Sequence, residues 1–347
     1  MIRQTLAKGR FAARILQSNV QRLPRPYKLL LGLTYWCNSR CLTCRIWERR
    51  PKGELRTDEI RELFRRNSYL SWVNLTGGEI FLRRDLPEVL NAVLTECPDL
   101  VLLNFATNGL QPRRTERVMR DMPRHLSANC VVTVSVDGPR EVNDRVRGIP
   151  GDFDRAVDTY RRLRSLRDDL SVYVGMTLSG HNAGMVEETY DSLRREIPSL
   201  RYGDLHVNVA QHSAHYYGNQ PGAPDARVGA DIAKHLARQP AELDTMRLVE
   251  RSYLRHMQRF LTSGRTPVPC QALSASCYVD PQGIVYPCIT YSRPLGNLRD
   301  TRFDLASLWR GSWMTSARTD VAAGRCPHCW TPCDAYQSIL GGLARWR

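Results

Sequence analysis

Six apolar segments of strand length alternate with amphipathic helical ones between residue 28 and about residue 211, and this alternation limits the fold more than any other feature. The strand-like segments are "KLLLGLTY", "WVNLTGG", "VLLNFATNG", "VVTVSVDG", "SVYVGMTL" and "LHVNVAQ". Between them lie helical patterns such as "TDEIRELFRRN", "DLPEVLNAVLTEC" and "FDRAVDTYRRLRSLR". Thr57 stands where an N-cap belongs, before an acidic first turn. Near-continuous apolar strands joined by helices predict an α/β protein with a parallel sheet covered by helices. Six such units predict a partial, TIM-like (β/α)6 barrel whose functional residues sit at the C-terminal ends of the strands.

The flanking segments read differently. Residues 1–27 form a basic amphipathic helix, with Ile2, Leu6, Ala13, Leu16 and Val20 on one face. That stripe is expected to pack on the following domain, and the alternative is contact with a membrane surface. The barrel is expected over 28–225, ending in the Gly- and Pro-rich "QHSAHYYGNQPGAPDA". A helical connection (226–262, with helices over 226–238 and 242–262) leads to a cysteine-rich domain of short strands and turns (263–347). No run of about 18 apolar residues is present, so a membrane span is not expected. With no signal-peptide core either, a cytoplasmic location is expected.

The chain has 11 cysteines, which in a reducing compartment point to metal or redox chemistry. Cys37, Cys41 and Cys44 lie in "TYWCNSRCLTCRIW", at the end of the first strand. Three thiolates are too few for a closed zinc site. They can instead hold three irons of a cubane and leave the fourth iron open to a ligand. Residues 45–56 offer no further Cys, His or Asp, only Glu48 and Glu54. The second group comprises Cys270, Cys277, Cys288, Cys326, Cys329 and Cys333. Within it "YVDPQGIVYP" predicts a hairpin turning at Pro281-Gln282-Gly283, expected to bring Cys277 and Cys288 to one end. Taken alone, that group suits zinc or iron–sulfur equally. Cys97 and Cys130 stand alone and read as small buried hydrophobes.

Gly77, Gly78 and Glu79 follow at the end of the second strand. The ordered pair, Cys-x3-Cys-x2-Cys and then Gly-Gly-Glu, resembles the radical S-adenosylmethionine (SAM) enzymes, from about residue 28 to the end. The resemblance implies a [4Fe–4S] cluster on Cys37, Cys41 and Cys44, with SAM on its open iron. It implies that Gly77, Gly78 and Glu79 hold the SAM amino group. Asn108 of the "TNG" turn and Ser135 would contact SAM, and Asp137 would line the substrate side. Arg145 or Arg147 would bind the SAM carboxylate, a task a guanidinium fork suits. Asn182 and residues 207–211 would reach the adenosine. Thr43 replaces the aromatic residue common before the third cysteine, and Trp47 is expected to stack in its place. The tail resembles a SPASM/twitch extension, with Gly283 five positions before Cys288. That implies one complete auxiliary [4Fe–4S] cluster, two being the alternative, with His328 a spacer.

The implied activity is reductive cleavage of SAM to a 5′-deoxyadenosyl radical, abstraction of a substrate hydrogen atom, and passage of an electron to the auxiliary cluster, with SAM consumed. The net charge of +15 suits an acidic flavodoxin- or ferredoxin-like electron donor. His212, His215, Tyr216 and Tyr217, just past the sixth strand, are the expected candidates for a base. A small molecule, sugar- or aminocyclitol-like or phosphorylated, is the expected substrate. A peptide is the alternative, disfavoured by the short segment before Cys37. The rival reading, a zinc protein binding nucleic acid, explains the charge but not the cysteine and Gly-Gly-Glu motifs on an α/β scaffold.

Overall fold

The computed structural model describes residues 2–125, 128–220, 225–240 and 245–342. Strands β1 (Lys28–Thr34), β2 (Trp72–Gly77), β3 (Leu102–Thr107), β4 (Asn129–Ser135), β5 (Leu170–Leu178) and β6 (Leu205–Val209) coincide with the six expected segments. Each pairs in parallel with the next. Alternation along the strands sorts their side chains between two faces. Leu29, Leu31, Leu33, Val73, Leu75, Leu103, Phe105, Val132 and Val134 join Ile60, Leu63, Phe64, Val89, Leu90 and Val93 of the covering helices in the main core. The intervening residues, among them Asn74, Thr76, Asn104, Thr133, Tyr173 and His206, line the concave side. A polar concave face suits a cleft, not a packed interior.

The sheet stays open, in the order β6-β5-β4-β3-β2-β1-β7-β8-β9. β7 (Ser276–Val279) runs parallel to β1, so the cysteine-rich tail extends the barrel sheet directly. β8 (Ile284–Tyr286) and β9 (Gly296–Asn297) follow antiparallel. The β7–β8 turn lies where the sequence predicts it. Gly283 takes the left-handed conformation (φ 86°), and Asp280 Oδ1 accepts from the Gln282 and Ile284 amides, each at 2.9 Å.

Two expectations change in detail. The helix Thr57–Arg66 is capped by Arg56, with Glu59 Oε2 accepting from the Arg56 amide at 2.9 Å. Thr57 is thereby the first helical residue, and its hydroxyl bonds Asp85 Oδ2 at 2.5 Å. The N-terminal helix, Ile2–Val20, does pack on the barrel, but through the opposite face. Ala7, Phe11, Ile15 and Ser18 turn inward, and Ile15 and Phe11 meet Tyr27, Trp72 and Leu102 at the N-terminal strand ends. Leu6, Leu16 and Val20 of the expected stripe are exposed, and the side chain of Ile2 lies outside the described residues. The helices Ala226–Arg238 and Thr245–Ser263 fall where expected, although residues 242–244 lie outside the described residues.

Candidate active site

The first cysteine loop leaves β1 and is fixed from three sides. From β2, the Gly78 amide donates to Thr34 O (2.7 Å) and the Glu79 amide to Trp36 O (2.8 Å). From the helix Arg140–Arg147, Arg147 O and Val146 O accept from the amides of Arg40 (2.9 Å) and Leu42 (2.8 Å). From the segment after β6, Tyr217 O accepts from the Arg45 amide (2.8 Å), and Asn219 Nδ2 donates to Thr43 O (2.8 Å). Cys37, Cys41 and Cys44 emerge half-buried, with free thiols. Burial pushes the Cys37 thiol up to about 11 and the Cys44 thiol up to about 12, with the neighbouring cysteines adding to each. Metal binding would therefore have to displace these protons.

Gly77 and Gly78 are required by close approach. A Cβ on Gly77, which sits at φ 124°, would lie 2.4 Å from Thr34 O, and one on Gly78 would lie 2.2 Å from Trp36 O. Gly78→Ala is expected to shift the cysteine loop, lowering the midpoint of thermal unfolding by an amount equivalent to about 1–3 kcal/mol. Iron retention on the first cysteine group should fall with it, as read by reconstitution and metal analysis.

Glu79 also braces the site. Its Oε1 accepts from the Phe81 amide (3.1 Å) and Thr107 Oγ1 (3.0 Å), and Oε2 from the Asn108 amide (2.6 Å). Burial pushes its carboxyl up, and these bonds oppose that. Asn108 carries the link onward, donating from Nδ2 to Asn38 Oδ1 (2.7 Å) and Ser39 Oγ (3.0 Å) in the cysteine loop. The ends of β2 and β3 and the cysteine loop thus form one hydrogen-bonded unit.

Beside Cys41 and Cys44 opens a cavity of about 150 Å3, also lined by Thr43, Asp137, Arg147, Thr177, Asn208, Val209, Ala210, Gln211 and Tyr217. Of the two candidate arginines, Arg147 lines it, while Arg145 is exposed and reaches His181 O at 3.4 Å. Arg147 bonds Asp137 Oδ2 at 2.8 Å and lies 3.4 Å from Asp152 Oδ2. Burial opposes its charge, but Cys41, Asp137 and Asp152 outweigh burial and its pKa is raised. Asp137 also accepts from the Thr177 amide (2.8 Å), and Asn182 Nδ2 donates to Asp137 O (2.8 Å), so both serve as struts. Ser135 ends β4 beside Gly175 of β5. Trp47 is outside the cavity lining, its indole donating to Cys44 O at 3.0 Å.

Of the expected bases, His215 and Tyr216 are hydrogen-bonded within the protein, while Tyr217 borders the cavity. Both nitrogens of His215 are held, Nδ1 by Ser292 Oγ (2.9 Å) and Nε2 by Cys288 O (3.1 Å), and burial pushes its pKa down to about 4. The Tyr216 hydroxyl bonds Thr76 Oγ1 at 2.5 Å and lies 3.5 Å from Gly77 O. Tyr217 lines the cavity. His212 is half-buried, and its pKa is lowered by burial. His206, which the sequence reading passed over, lies on the same face of β6 as Asn208 and stacks on Tyr173 of β5 at 4.3 Å and 22°. Its alternation with Asn208 in "LHVNVAQ" is the signal that could have found it.

The second cysteine group divides. Cys288 contacts Cys329, and their charges, with those of Cys270 and Cys326, act on one another. His328 sits between Cys326 and Cys329 in the left-handed conformation (φ 55°), with Nδ1 3.3 Å from Thr266 Oγ1, a hydroxyl also 3.3 Å from Cys329 O. Cys277 is not with the four. Tyr278 takes the concave side of β7, so alternation sends Cys277 into the main core, against the expectation that it meets Cys288. Cys333 packs with Leu30, Tyr216 and Tyr278 on the concave side, and Asn74 Nδ2 lies 3.7 Å from its sulfur. Cys97 and Cys130 are buried in the main core.

Among the described residues, no three His, Cys, Asp or Glu side chains converge as they would on one metal ion. The two groups of free cysteine thiols supply the soft donors that iron–sulfur clusters take.

The fold and site together define an open-barrel protein with one three-cysteine loop at the strand ends and a second cysteine group alongside. Residues 31–193 match the Radical SAM superfamily, and residues 270–330 match SPASM, an iron–sulfur cluster-binding domain. The chain belongs to the radical SAM family, carries a SPASM domain, and uses a [4Fe–4S] cluster, SAM and auxiliary iron–sulfur chemistry. It is 26% identical to an AdoMet-dependent heme synthase of Methanosarcina barkeri, over 91% of this chain and 90% of that one. It is 29% identical to the mycofactocin maturase MftC of Mycobacterium ulcerans, over 95% and 86% respectively. Its fold is similar to that of Streptococcus suis SuiB bound to S-adenosylmethionine, with a TM-score of 0.60 at 15% identity, over 91% of this chain and 72% of that one.

Proposed function

We propose that the protein oxidises a small molecule bound on the concave face of the sheet, between the two cysteine groups. Cys37, Cys41 and Cys44 would hold the SAM-binding cluster, and Cys270, Cys288, Cys326 and Cys329 one auxiliary cluster. When bound, these groups supply a 5′-deoxyadenosyl radical and an electron acceptor. The observation that carries the reading is the position of Tyr216 and Tyr217. The Tyr217 carbonyl lies 3.9 Å from Cys44 Sγ, and both tyrosines pack in the same cluster as Cys333. The space they border therefore adjoins both groups.

This chain's own residues would do the rest. Asn208, Thr177 and Gln211 would bind the adenosine end of SAM in the cavity, and the Gly77 and Gly78 carbonyls its amino group. Arg147, neutralised by Asp137 and Asp152, would position the loop and present the remaining donors of its guanidinium to the carboxylate. Glu79 would act as a positioning residue through Asn108. His206 would take the proton that an oxidised substrate loses. Burial holds its pKa below the usual histidine value, with Glu250 opposing, so the ring is neutral and able to accept. An acidic electron donor would dock on the outer face of the cysteine loop, where Trp36 (55% exposed) and Leu42 (50%) stand among Arg40 and Arg45.

A peptide substrate is the second reading, supported by the similarity to a mycofactocin maturase. The test is stimulation of 5′-deoxyadenosine formation in the reduced, reconstituted enzyme by fractions of host extract. The low-mass, protease-insensitive fraction is expected to stimulate. Stimulation confined to a protease-sensitive fraction would replace the small molecule with a peptide. Once a substrate is in hand, His206→Gln should lower product formation about 100-fold while sparing SAM cleavage.

A further inference from the structure

The N-terminal helix carries two apolar faces and uses only one of them. Ala7, Phe11 and Ile15 are spent on the barrel. On the other side Leu6, Leu16 and Val20 are 52%, 63% and 75% exposed. At 3.6 residues per turn they fall within an arc of about 80°, together with Gly9 and Ala13. A Cβ at Gly9 would meet nothing within 4 Å, so no part of the described chain covers this stripe. An exposed tryptophan follows a residue that touches the chain at the end of this helix. Trp309 donates from its indole to Leu23 O at 3.2 Å, just past the helix, and Trp313, four residues on, is 70% exposed.

The charge that the helix itself carries has one sign. Residues 1–28 hold seven Lys or Arg and no acid. Asp99, from another part of the chain, pairs with Arg10 (2.7 Å) and Arg14 (3.8 Å), while Lys8 and Arg22 are exposed with no acidic partner among the described residues. A second copy set face to face on this stripe would bring like charges together, and an apolar partner would strand them. An anionic lipid surface satisfies both features. Leucine and valine enter the acyl boundary, the basic side chains stay at the headgroups, and an indole is at home at that depth. No described helix is long and apolar enough to cross a membrane, so the helix would lie along the surface.

We propose that this outer face of Ile2–Val20 docks the protein on an anionic membrane surface. The helix covers the N-terminal ends of β1 to β3, so docking leaves the cysteine loop and the strand C-terminal ends turned toward the aqueous phase. Substrate and electron donor would reach the site from there.

The test is co-sedimentation of the full-length, reconstituted protein with vesicles of phosphatidylcholine containing about 30% phosphatidylserine, beside vesicles of phosphatidylcholine alone. Binding is expected to the anionic vesicles only, weakened as salt rises, and at least about tenfold weaker in Leu6→Ser/Leu16→Ser/Val20→Ser. Those side chains are exposed, so the variant should keep the wild-type unfolding temperature, and Lys8→Glu/Arg22→Glu should weaken binding without touching the stripe. Three results would overturn the proposal: no binding to anionic vesicles, binding that the triple variant retains in full, or a wild-type dimer in solution that the triple variant dissolves.

Discussion

Arg147→Ala should cost the fold about 3–5 kcal/mol, because it strands Asp137 and Asp152 as buried, uncompensated charges. Arg147 bonds Asp137 at 2.8 Å and lies 3.4 Å from Asp152, with its side chain 8% exposed. The same residue's backbone carbonyl holds the Arg40 amide at 2.9 Å, so the cysteine loop loses a rigid support as well. Denaturant titration of the variant measures the cost. Asp137→Asn/Arg147→Met/Asp152→Asn, which removes the charges together, is expected to recover part of it. A single variant as stable as wild type would mean that the guanidinium is not carrying the network.

A second large effect should separate the late cysteines. Cys288→Ala is expected to lower reconstituted iron from about eight to about four per chain, one cubane's worth. Cys277→Ala should keep the full iron content and lose only packing, since Cys277 is wholly buried in the main core. Cys333→Ala is also expected to keep its iron, because that thiol packs with Leu30, Tyr216 and Tyr278, with Asn74 Nδ2 3.7 Å from its sulfur. Iron and sulfide assays on the three variants side by side read this directly. Loss of iron in Cys333→Ala would enlarge the ligand set.

Much of this arrangement is legible in the sequence because it follows local rules. Strand length, apolar continuity and helix spacing place all six barrel strands, and the Asp-Pro-Gln-Gly segment places the β7–β8 turn. The Cys37, Cys41 and Cys44 spacing and the Gly77-Gly78-Glu79 turn are local patterns, so they too stand out. What escapes is long-range. That β7 adds to the β1 edge follows from pairing 248 residues apart, Lys28 with Ser276, which no local pattern encodes. Cys277 and Cys288 flank the same hairpin, yet which side of β7 a cysteine takes depends on what Tyr278 packs against. The N-terminal helix misleads for a related reason: its most conspicuous stripe is the outer one, while the docked face mixes Ala7 and Phe11 with Arg14 and Ser18. Glu79 reads as a ligand-binding carboxylate; that it also ties Phe81, Thr107 and Asn108 together, with one donor on Oε2 and two on Oε1, is visible only in the fold.

The most direct measurement of the central claim is SAM cleavage by the anaerobically reconstituted wild type beside Cys37→Ala/Cys41→Ala/Cys44→Ala, with iron counted in both. The two-site account predicts 5′-deoxyadenosine from the reduced wild type, none above background from the variant, and about four irons still bound to the variant by the late cysteines. A variant that still cleaves SAM, or a wild type that binds zinc and leaves SAM intact, would contradict it.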